Sequence, residues 1–298
     1  MGYLLRVAFR LLAVAFALNG FAPAFAGQMA AGRIHIEYVA PKIADHQALF
    51  AQLKERRSLE KVQAIFTPFR LPRDVTIRTI GCGESNAYYQ PVDGRPTITL
   101  CYEYLQEIWN QLPTMTTEDG LTPTDALVGQ ALFAVAHEFG HLAFDVYQVP
   151  VLGREEDAAD NFATFLMLHF REDGPRLIKG AAWSYHTFIK DYRLQPKATL
   201  PLAAFSSDHG QPEERFYNMM CMAYGSDAKL YAGLVDKGYL PMLRSRTCKQ
   251  EFAVLQFGFN REILPHINQK MGDKVLAADW LATARPPAPL RYLQPHSD

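Results

Sequence analysis

The stretch from His137 to Asp160 reads HEFGHLAFDVYQVPVLGREEDAAD, and it decides how the rest of the chain is interpreted. Together with the preceding DALVGQALFAVA, its first part is apolar on most sides, which is typical of a buried helix. We predict one helix from about Pro123 to Tyr147, capped by Thr122 or Thr124. QVPVLG then forms a connection, and a second helix opens at Arg154-Glu155-Glu156-Asp157. The sequence therefore predicts two helices joined by a short loop.

The first of these helices carries His137, Glu138 and His141 in the pattern H-E-x-x-H. Residues four apart project from one helix face, so both imidazoles can reach one zinc ion at ~2.1 Å. Glu138 lies about 100° round the helix, beside such an ion but not on it. That is the position of a general base for an activated water molecule. The alternative is a buried His–Glu polar network without a metal.

A catalytic zinc ion usually has three protein ligands and keeps a fourth position for water. We predict Glu156 as the third ligand. Asp160, one turn later, is expected to accept the free N–H of a ligand histidine, most naturally His137. Glu155 competes with Glu156, because it points nearer the centre of the apolar stripe on this helix. The acidic cluster could also serve only to complement the helix dipole.

The tetrahedral oxyanion of acyl transfer needs a second donor beside the metal. The candidates are His209, Arg215 and Tyr217, in SSDHGQPEERFYN (206–218). Each also has an ordinary interpretation, as a loop histidine, a surface arginine or a packed tyrosine. Asp145, four residues after His141, either orients that histidine or is a solvated residue near the helix end.

The region before the H-E-x-x-H helix has the pattern of a small sheet. RIHIEYV (33–39) and DVTIRTIGC (74–82) alternate in polarity, as half-buried strands do. In AYYQPVDGRPTITL (87–100), Asp93-Gly94 predicts a hairpin turn between two strands. TITL could be an edge strand that pairs with an extended substrate. We predict an α+β fold, with a small antiparallel sheet followed by a mostly helical region.

The two ends of the chain differ from the rest. Residues 1–26 combine basic Arg6 and Arg10, the short apolar run LLAVAFAL and the small-x-small site Ala24-Phe25-Ala26. This is the layout of a secretory signal peptide, and the apolar run is shorter than the ~20 residues of a membrane anchor. We predict a single domain over 27–285, a proline-rich tail over 286–298, and a protein that is periplasmic or secreted.

Charge and cysteine content narrow the class of protein further. Of 30 basic and 31 acidic residues, two basic ones lie in the predicted signal peptide, which leaves a net charge of −3. No basic run indicates nucleic acid, and no later stretch of the sequence is long and apolar enough to span a membrane. The four cysteines can pair in three ways, and proximity favours Cys82–Cys101 and Cys221–Cys248. A zinc cluster is disfavoured because no C-x-x-C spacing exists.

Several motifs in order resemble known families. HEFGH followed by EDAAD resembles the gluzincin pattern of zinc peptidases, H-E-x-x-H then E-x-x-x-D, and SNAYY is similar to a stretch in the CAAX-type enzymes. CGESNAYY, ITLCYEYL, HEFGHLAFD, PVLGREEDAADNFA and ERFYNMMCMAYGSD together resemble exported bacterial proteins called "putative metallopeptidases". The resemblance covers roughly residues 33–260 and implies a zincin-like fold, one Zn²⁺ ion and a peptide or protein substrate. The interval between His141 and Glu156 is shorter than in thermolysin.

The predicted reaction is peptide-bond hydrolysis by a metal-activated water molecule with Glu138 as general base. Two other interpretations stay open. One is a zinc hydrolase of a non-peptide amide bond, for example in cell-wall material. The other is a non-catalytic protein stabilised by its metal, for which an intact Glu138 would have no use.

Overall fold

The computed structural model describes residues 32–193 and 206–281. The predicted signal peptide (1–26) and the proline-rich tail (286–298) lie outside the described residues. The fold is α+β, as predicted. A four-stranded sheet formed by the first part of the chain packs against a larger helical region. The predicted single domain over 27–285 stays a prediction.

The sheet consists of four strands in the spatial order β1-β2-β4-β3. Their bounds are β1 (Ile34–Tyr38), β2 (Val75–Ile80), β3 (Ala87–Val92) and β4 (Arg95–Cys101). The hairpin prediction is confirmed: β3 and β4 are antiparallel, and Asp93 and Gly94 both have positive φ in the turn between them. A positive φ at both central residues is the geometry of the tight turns that match strand twist.

The prediction of an antiparallel sheet is wrong for the other two pairings. β1 pairs with β2 in parallel, and β2 pairs with β4 in parallel. The physical reason is the connection between β1 and β2, in which a helical crossover returns the chain to the end of the sheet where it started. The alternating pattern identifies strands but does not give their direction.

The strand order also corrects the prediction that TITL forms an edge. TITL lies in β4, which has β2 on one side and β3 on the other, and β4 is buried after its first residue. β3 is the edge strand on the side of the hairpin, and its residues are partly or fully exposed. An extended substrate that pairs with this sheet on the side of the hairpin would therefore meet β3.

The helices surround one face of the sheet and extend beyond it. Their bounds are α1 (Gln47–Glu55), α2 (Ser58–Phe66), α3 (Tyr102–Asn110), α4 (Pro123–Tyr147), α5 (Glu155–Leu168), α6 (Gly174–Arg193), α7 (Pro212–Ser226), α8 (Ala232–Asp236), α9 (Met242–Glu262) and α10 (Gln269–Ala277). Short 3-10 turns cover 44–46, 171–173 and 264–266. Among the described residues, no helix combines the length and apolarity needed to cross a membrane.

The predicted H-E-x-x-H helix is α4, with the predicted bounds. Thr122 is its N-cap and accepts a hydrogen bond from the backbone N–H of Asp125. Phe139, inside HEFGH, is fully buried and stacks on Phe66 with ring centroids 4.0 Å apart. Phe139 fixes one side of the helix in the core. Its position fixes the rotation of the helix, and with it the directions of His137, Glu138 and His141, which project from other sides.

Two disulfide bonds have the pairing that sequence proximity favoured. Cys82, just after β2, is bonded to Cys101 at the end of β4. Cys221 of α7 is bonded to Cys248 of α9. The first bond ties the hairpin to the neighbouring strand β2, and the second joins α7 to α9. Disulfides of this kind are typical of proteins folded in an oxidising compartment.

Close contact between α4 and α6 depends on two glycines. A Cβ at Gly180 would lie 2.0 Å from the carbonyl oxygen of Asp125, and a Cβ at Gly129 would lie 2.5 Å from that of Leu177. Both obstacles are backbone atoms, which cannot rotate away as a side chain can. The two helices therefore approach at a distance that only glycine permits.

We expect Gly180→Ala to destabilise the protein by at least about 1–3 kcal/mol, the usual cost of overpacking. Gly258→Ala is the matched control, because Gly258 also lies within a helix and has no atom within 4 Å of a Cβ. The control should be neutral or gain up to ~1 kcal/mol from helix propensity. Urea unfolding of the three proteins measures the difference, and equal midpoints would contradict this account of the α4–α6 contact.

Candidate metal centre

The site begins with the approach of α5 to α4. A Cβ at Gly140 would lie 3.2 Å from the Cα of Ala159, so the glycine of HEFGH lets the second helix come close. This approach brings Glu155, Glu156 and Asp160 opposite the two histidines of α4. The connection over 148–154 has a usual length for neighbouring helices. The pairing of His137 with Asp160 and of His141 with Glu155 shows that the two helices run antiparallel.

The Nε2 atoms of His137 and His141, here called their inner nitrogens, converge on one point with the carboxylate of Glu156. His137 Nε2 lies 3.2 Å from His141 Nε2 and 3.0 Å from Glu156 Oε2. His141 Nε2 lies 3.5 Å from Glu156 Oε1. A tetrahedral ion with bonds of about 2.0–2.1 Å separates its ligand atoms by about 3.3 Å. The spacing of these donor atoms therefore fits one bound divalent ion.

The Nδ1 atoms of the same histidines, their outer nitrogens, each contact a carboxylate. His137 Nδ1 lies 2.7 Å from Asp160 Oδ1, and His141 Nδ1 lies 2.8 Å from Glu155 Oε1. The Asp160 contact is the predicted one. Glu155, considered as a competing ligand, contacts the outer side of His141 instead.

These outer contacts decide what the inner nitrogens can do. A neutral imidazole that donates from Nδ1 presents a lone pair at Nε2. His137 and His141 then direct two lone pairs at each other and at a carboxylate, which is unfavourable unless a cation lies between them. Protons can meet this need: although burial lowers the pKa of His137, its hydrogen bonds to Asp160 and Glu156 raise it on balance to about 9. A divalent ion meets the same need with the donor types that zinc prefers.

The suggestion that Asp145 orients His141 is wrong. Asp145 Oδ2 accepts a hydrogen bond from the Tyr89 hydroxyl at 2.5 Å and forms an ion pair with Arg73 at 3.0 Å. One helical turn from His141, Asp145 faces the sheet and not the imidazole. It ties the edge strand β3 to the end of α4.

Glu138 is buried and lines a cleft of about 330 Å³ beside the histidines. Burial raises the pKa of its carboxyl, while the nearby charges of His137 and His141 oppose the rise. A carboxylate with a raised pKa is a better proton acceptor than an exposed glutamate. Its position is thus suited to exchanging protons with a molecule in the cleft.

Asp160 connects His137 to a buried arginine. Arg215 Nε and Nη2 each donate to Asp160 at 2.7 Å, a two-pronged ion pair, and the guanidinium lies over the Tyr185 ring at 5.4 Å. Although burial raises the pKa of Asp160, Arg215 and His137 hold it below its ordinary value. The carboxylate therefore stays charged and orients His137. Arg215 also lines the cleft, with two of its nitrogens committed to Asp160.

Of the predicted oxyanion donors, His209 lies in the site and Tyr217 does not. His209 Nε2 is 2.8 Å from Glu156 Oε2, and His209 lines the cleft. Tyr217 lines a separate depression with Arg154 and Asp157, and its ring packs on Phe216. On α7, Tyr217 follows Arg215 by two residues, so the helix turns it to another side. Tyr217 therefore does not line the cleft beside Glu138.

Two tyrosines of the cleft were missed from the sequence. Tyr104 of α3 and Tyr185 of α6 both line it beside Glu138 and Arg215. Burial raises the pKa of Tyr104 to about 12 and raises that of Tyr185 well above its ordinary value, so both phenols stay protonated and can donate a hydrogen bond. Tyr104 stands in the quoted ITLCYEYL, but neither residue has a spacing motif that relates it to the histidines.

Comparison with known proteins places the chain in a family. The model of the family described as "Putative metallopeptidase" matches residues 38–261, which include every residue of the site described above. The chain belongs to this family. No curated protein and no solved structure matches the chain. The family implies a metal, and the residues that could hold one include His137, Glu156 and His209.

Proposed function

We propose that the protein is a zinc-dependent peptidase that uses Glu138 as its general base. The observation that carries this proposal is the convergence of His137 Nε2, His141 Nε2 and Glu156 on one point beside a cleft lined by Glu138. Membership in a family described as "Putative metallopeptidase" supports a hydrolase. A structural metal site would have no need for a buried carboxylate next to an open cleft.

His137, His141 and Glu156 would hold the ion, and Asp160 and Glu155 would hold the two histidines in their ligating tautomers. A divalent ion held there supplies Lewis-acid chemistry, which activates water and polarises a carbonyl group. Glu138 takes the proton that the water loses and passes it to the departing amine.

Tyr104 and Tyr185 are the proposed hydrogen-bond donors for negative charge that develops on the substrate carbonyl oxygen. Both line the cleft and remain protonated at neutral pH, because burial raises their pKa. Donors already in place cost no reorganisation when the charge appears. Arg215, which is paired with Asp160, also lines the cleft.

The proposed substrate is a peptide or protein, and the proposed location is outside the cytoplasm. The two disulfide bonds support export, since such bonds persist in oxidising compartments. The edge strand β3 offers backbone groups beside the cleft, to which an extended peptide could pair.

The test is metal analysis of the purified protein together with a proteomic cleavage screen that uses Glu138→Gln as the background. One zinc ion per chain and peptide products absent from the background are expected. Products formed only from non-peptide amides would identify the alternative substrate class. The absence of a stoichiometric metal ion would refute the enzyme proposal.

Removal of the ion is expected to destabilise the fold. An ion present at about 1,000 times its dissociation constant adds about 4.1 kcal/mol. With an unfolding entropy of about 2.1 cal/mol/K per residue, that corresponds to a Tm lower by about 7 °C after chelation. Differential scanning calorimetry with and without a chelator measures the shift, and re-addition of Zn²⁺ should reverse it. An unchanged Tm would contradict a metal bound by the native state.

A further inference from the structure

His209 makes the same two kinds of contact as the histidines of the H-E-x-x-H motif: Nε2 approaches Glu156, and Nδ1 approaches another carboxylate. Its Nε2 lies 2.8 Å from Glu156 Oε2, and its Nδ1 lies 3.1 Å from Asp208 Oδ1. His137 and His141 likewise point Nε2 toward Glu156 and Nδ1 toward a carboxylate. An outer carboxylate that fixes the tautomer is the usual surrounding of a metal-ligating histidine.

The position of His209 also fits a ligand. His137, Glu156 and His209 each offer a donor atom within 4.8 Å of the other two. The rings of His137 and His209 are close to parallel, with an angle of 18° between their planes and centroids 5.9 Å apart. Their Nε2 atoms approach Glu156 Oε2 at similar distances, 3.0 and 2.8 Å.

We propose that His209 is a fourth protein ligand of the metal ion in the resting protein and that it leaves the ion when substrate enters. This inference rests on the proposed function, because it presupposes the ion held by His137, His141 and Glu156. Three imidazoles and one carboxylate complete a tetrahedral set, in which no position is open for water. The resting site is then closed, and departure of His209 makes it competent.

The structure indicates why His209 would be the ligand that leaves. The side chain of His209 is 45% exposed, whereas those of His137 and His141 are 5% and 12% exposed. His137 and His141 are fixed in a buried 25-residue helix, while His209 lies outside any helix, three positions before the first residue of α7. Moving His209 therefore disturbs little packing, and movement of either helix histidine would disturb the core.

The competing role for His209 is that of an oxyanion donor that contacts Glu156 only through a hydrogen bond. The two roles differ in what X-ray absorption at the zinc edge records. A fourth ligand gives three imidazoles around the ion, and an oxyanion donor gives two imidazoles and a solvent oxygen.

The experiment compares the zinc-loaded full chain with its His209→Ala and His209→Gln variants. We expect three imidazoles in the wild-type protein and two in each variant, with a solvent oxygen in place of the third. Because the loss of even an outer partner weakens metal binding 10–100-fold, the loss of His209 should weaken Zn²⁺ affinity by at least about that factor. Visible spectra of the Co²⁺-loaded proteins should change in parallel.

His35→Ala is the matched control, since His35 pairs with Asp74 on the far edge of the sheet. It should leave both the imidazole count and the affinity unchanged. Circular dichroism melts show whether each variant is folded, and His209→Gln retains a polar side chain should the alanine variant prove unstable.

Two imidazoles in the wild-type protein and no change in His209→Ala would overturn the ligand role while leaving the proposed metal site intact. A kcat reduced about 10²–10³-fold with an unchanged metal environment would assign the oxyanion role instead. Failure of the wild-type protein to bind a stoichiometric ion would refute the proposed function itself, so the two failures are distinguishable.

Discussion

Glu138→Gln is expected to lower kcat for peptide hydrolysis by about 10²–10⁴-fold while the ion stays bound, because a positioned general base contributes a factor of this size. Glutamine keeps the shape of glutamate and cannot accept the proton. KM should change little, since Glu138 is buried at the wall of the cleft and does not ligate the ion in the proposed arrangement. Kinetics on a peptide from the cleavage screen and metal analysis of the same sample measure both effects.

The control for this substitution is Glu155→Gln. Glu155 is a glutamate of the same site, but it contacts only the outer nitrogen of His141. We expect a weaker effect, seen mainly as a 10–100-fold loss of metal affinity or activity. If Glu138→Gln kept most of its activity in zinc-saturated samples, the proton acceptor would have to be a different group.

Asp160→Ala is expected to destabilise the protein by about 3–5 kcal/mol, because it leaves a buried charge without its partner. The side chains of Asp160 and Arg215 are 13% and 20% exposed, and two hydrogen bonds of 2.7 Å join them. The substitution also releases the outer nitrogen of His137, so metal affinity should fall together with stability. Urea unfolding in the presence of a chelator isolates the part that does not depend on the ion.

Asp160→Ala leaves Arg215 unpaired and also leaves His137 without its carboxylate. The double variant Asp160→Ala/Arg215→Met separates the effects of these two losses. Removing both charges should restore most of the lost stability, since buried pairs replaced by apolar side chains are often neutral. It should not restore metal affinity, because His137 still lacks its carboxylate. Asp157→Ala on the same helix is the control, with an expected cost of about 0.3–1 kcal/mol from the helix dipole. Equal costs for Asp157→Ala and Asp160→Ala would contradict the buried pair.

Local pattern was sufficient for several elements of the fold. The bounds of α4, the start of α5 and the turn at Asp93-Gly94 depend on caps, apolar periodicity and φ preferences within a few residues. The disulfide pairing also followed from short separations along the chain. Strand direction could not be predicted in this way, because it depends on how a crossover packs against the sheet and not on alternation within each strand.

Within the candidate site, the sequence could relate only residues that share a helix. His137 and His141 on α4, and Glu156 and Asp160 on α5, are four residues apart, and helix geometry alone puts each pair on one face. Asp145 and Glu155 show the limit of this reasoning. Glu155, considered from the sequence as a metal ligand, contacts the outer nitrogen of His141 instead. Asp145 is four residues from His141, yet the packing of β3 against α4 directs it to Tyr89.

By itself, the sequence determined the two helices, the hairpin, the disulfide pairs and the family to which the chain belongs. Only the tertiary structure decided which distant groups meet: Arg215 with Asp160, His209 with Glu156, and Tyr104 and Tyr185 in one cleft. The reason is that spacing along a helix or strand is set by the local backbone. Contacts between elements depend on how whole faces pack, as at Gly140, where the absence of a side chain lets α5 reach α4.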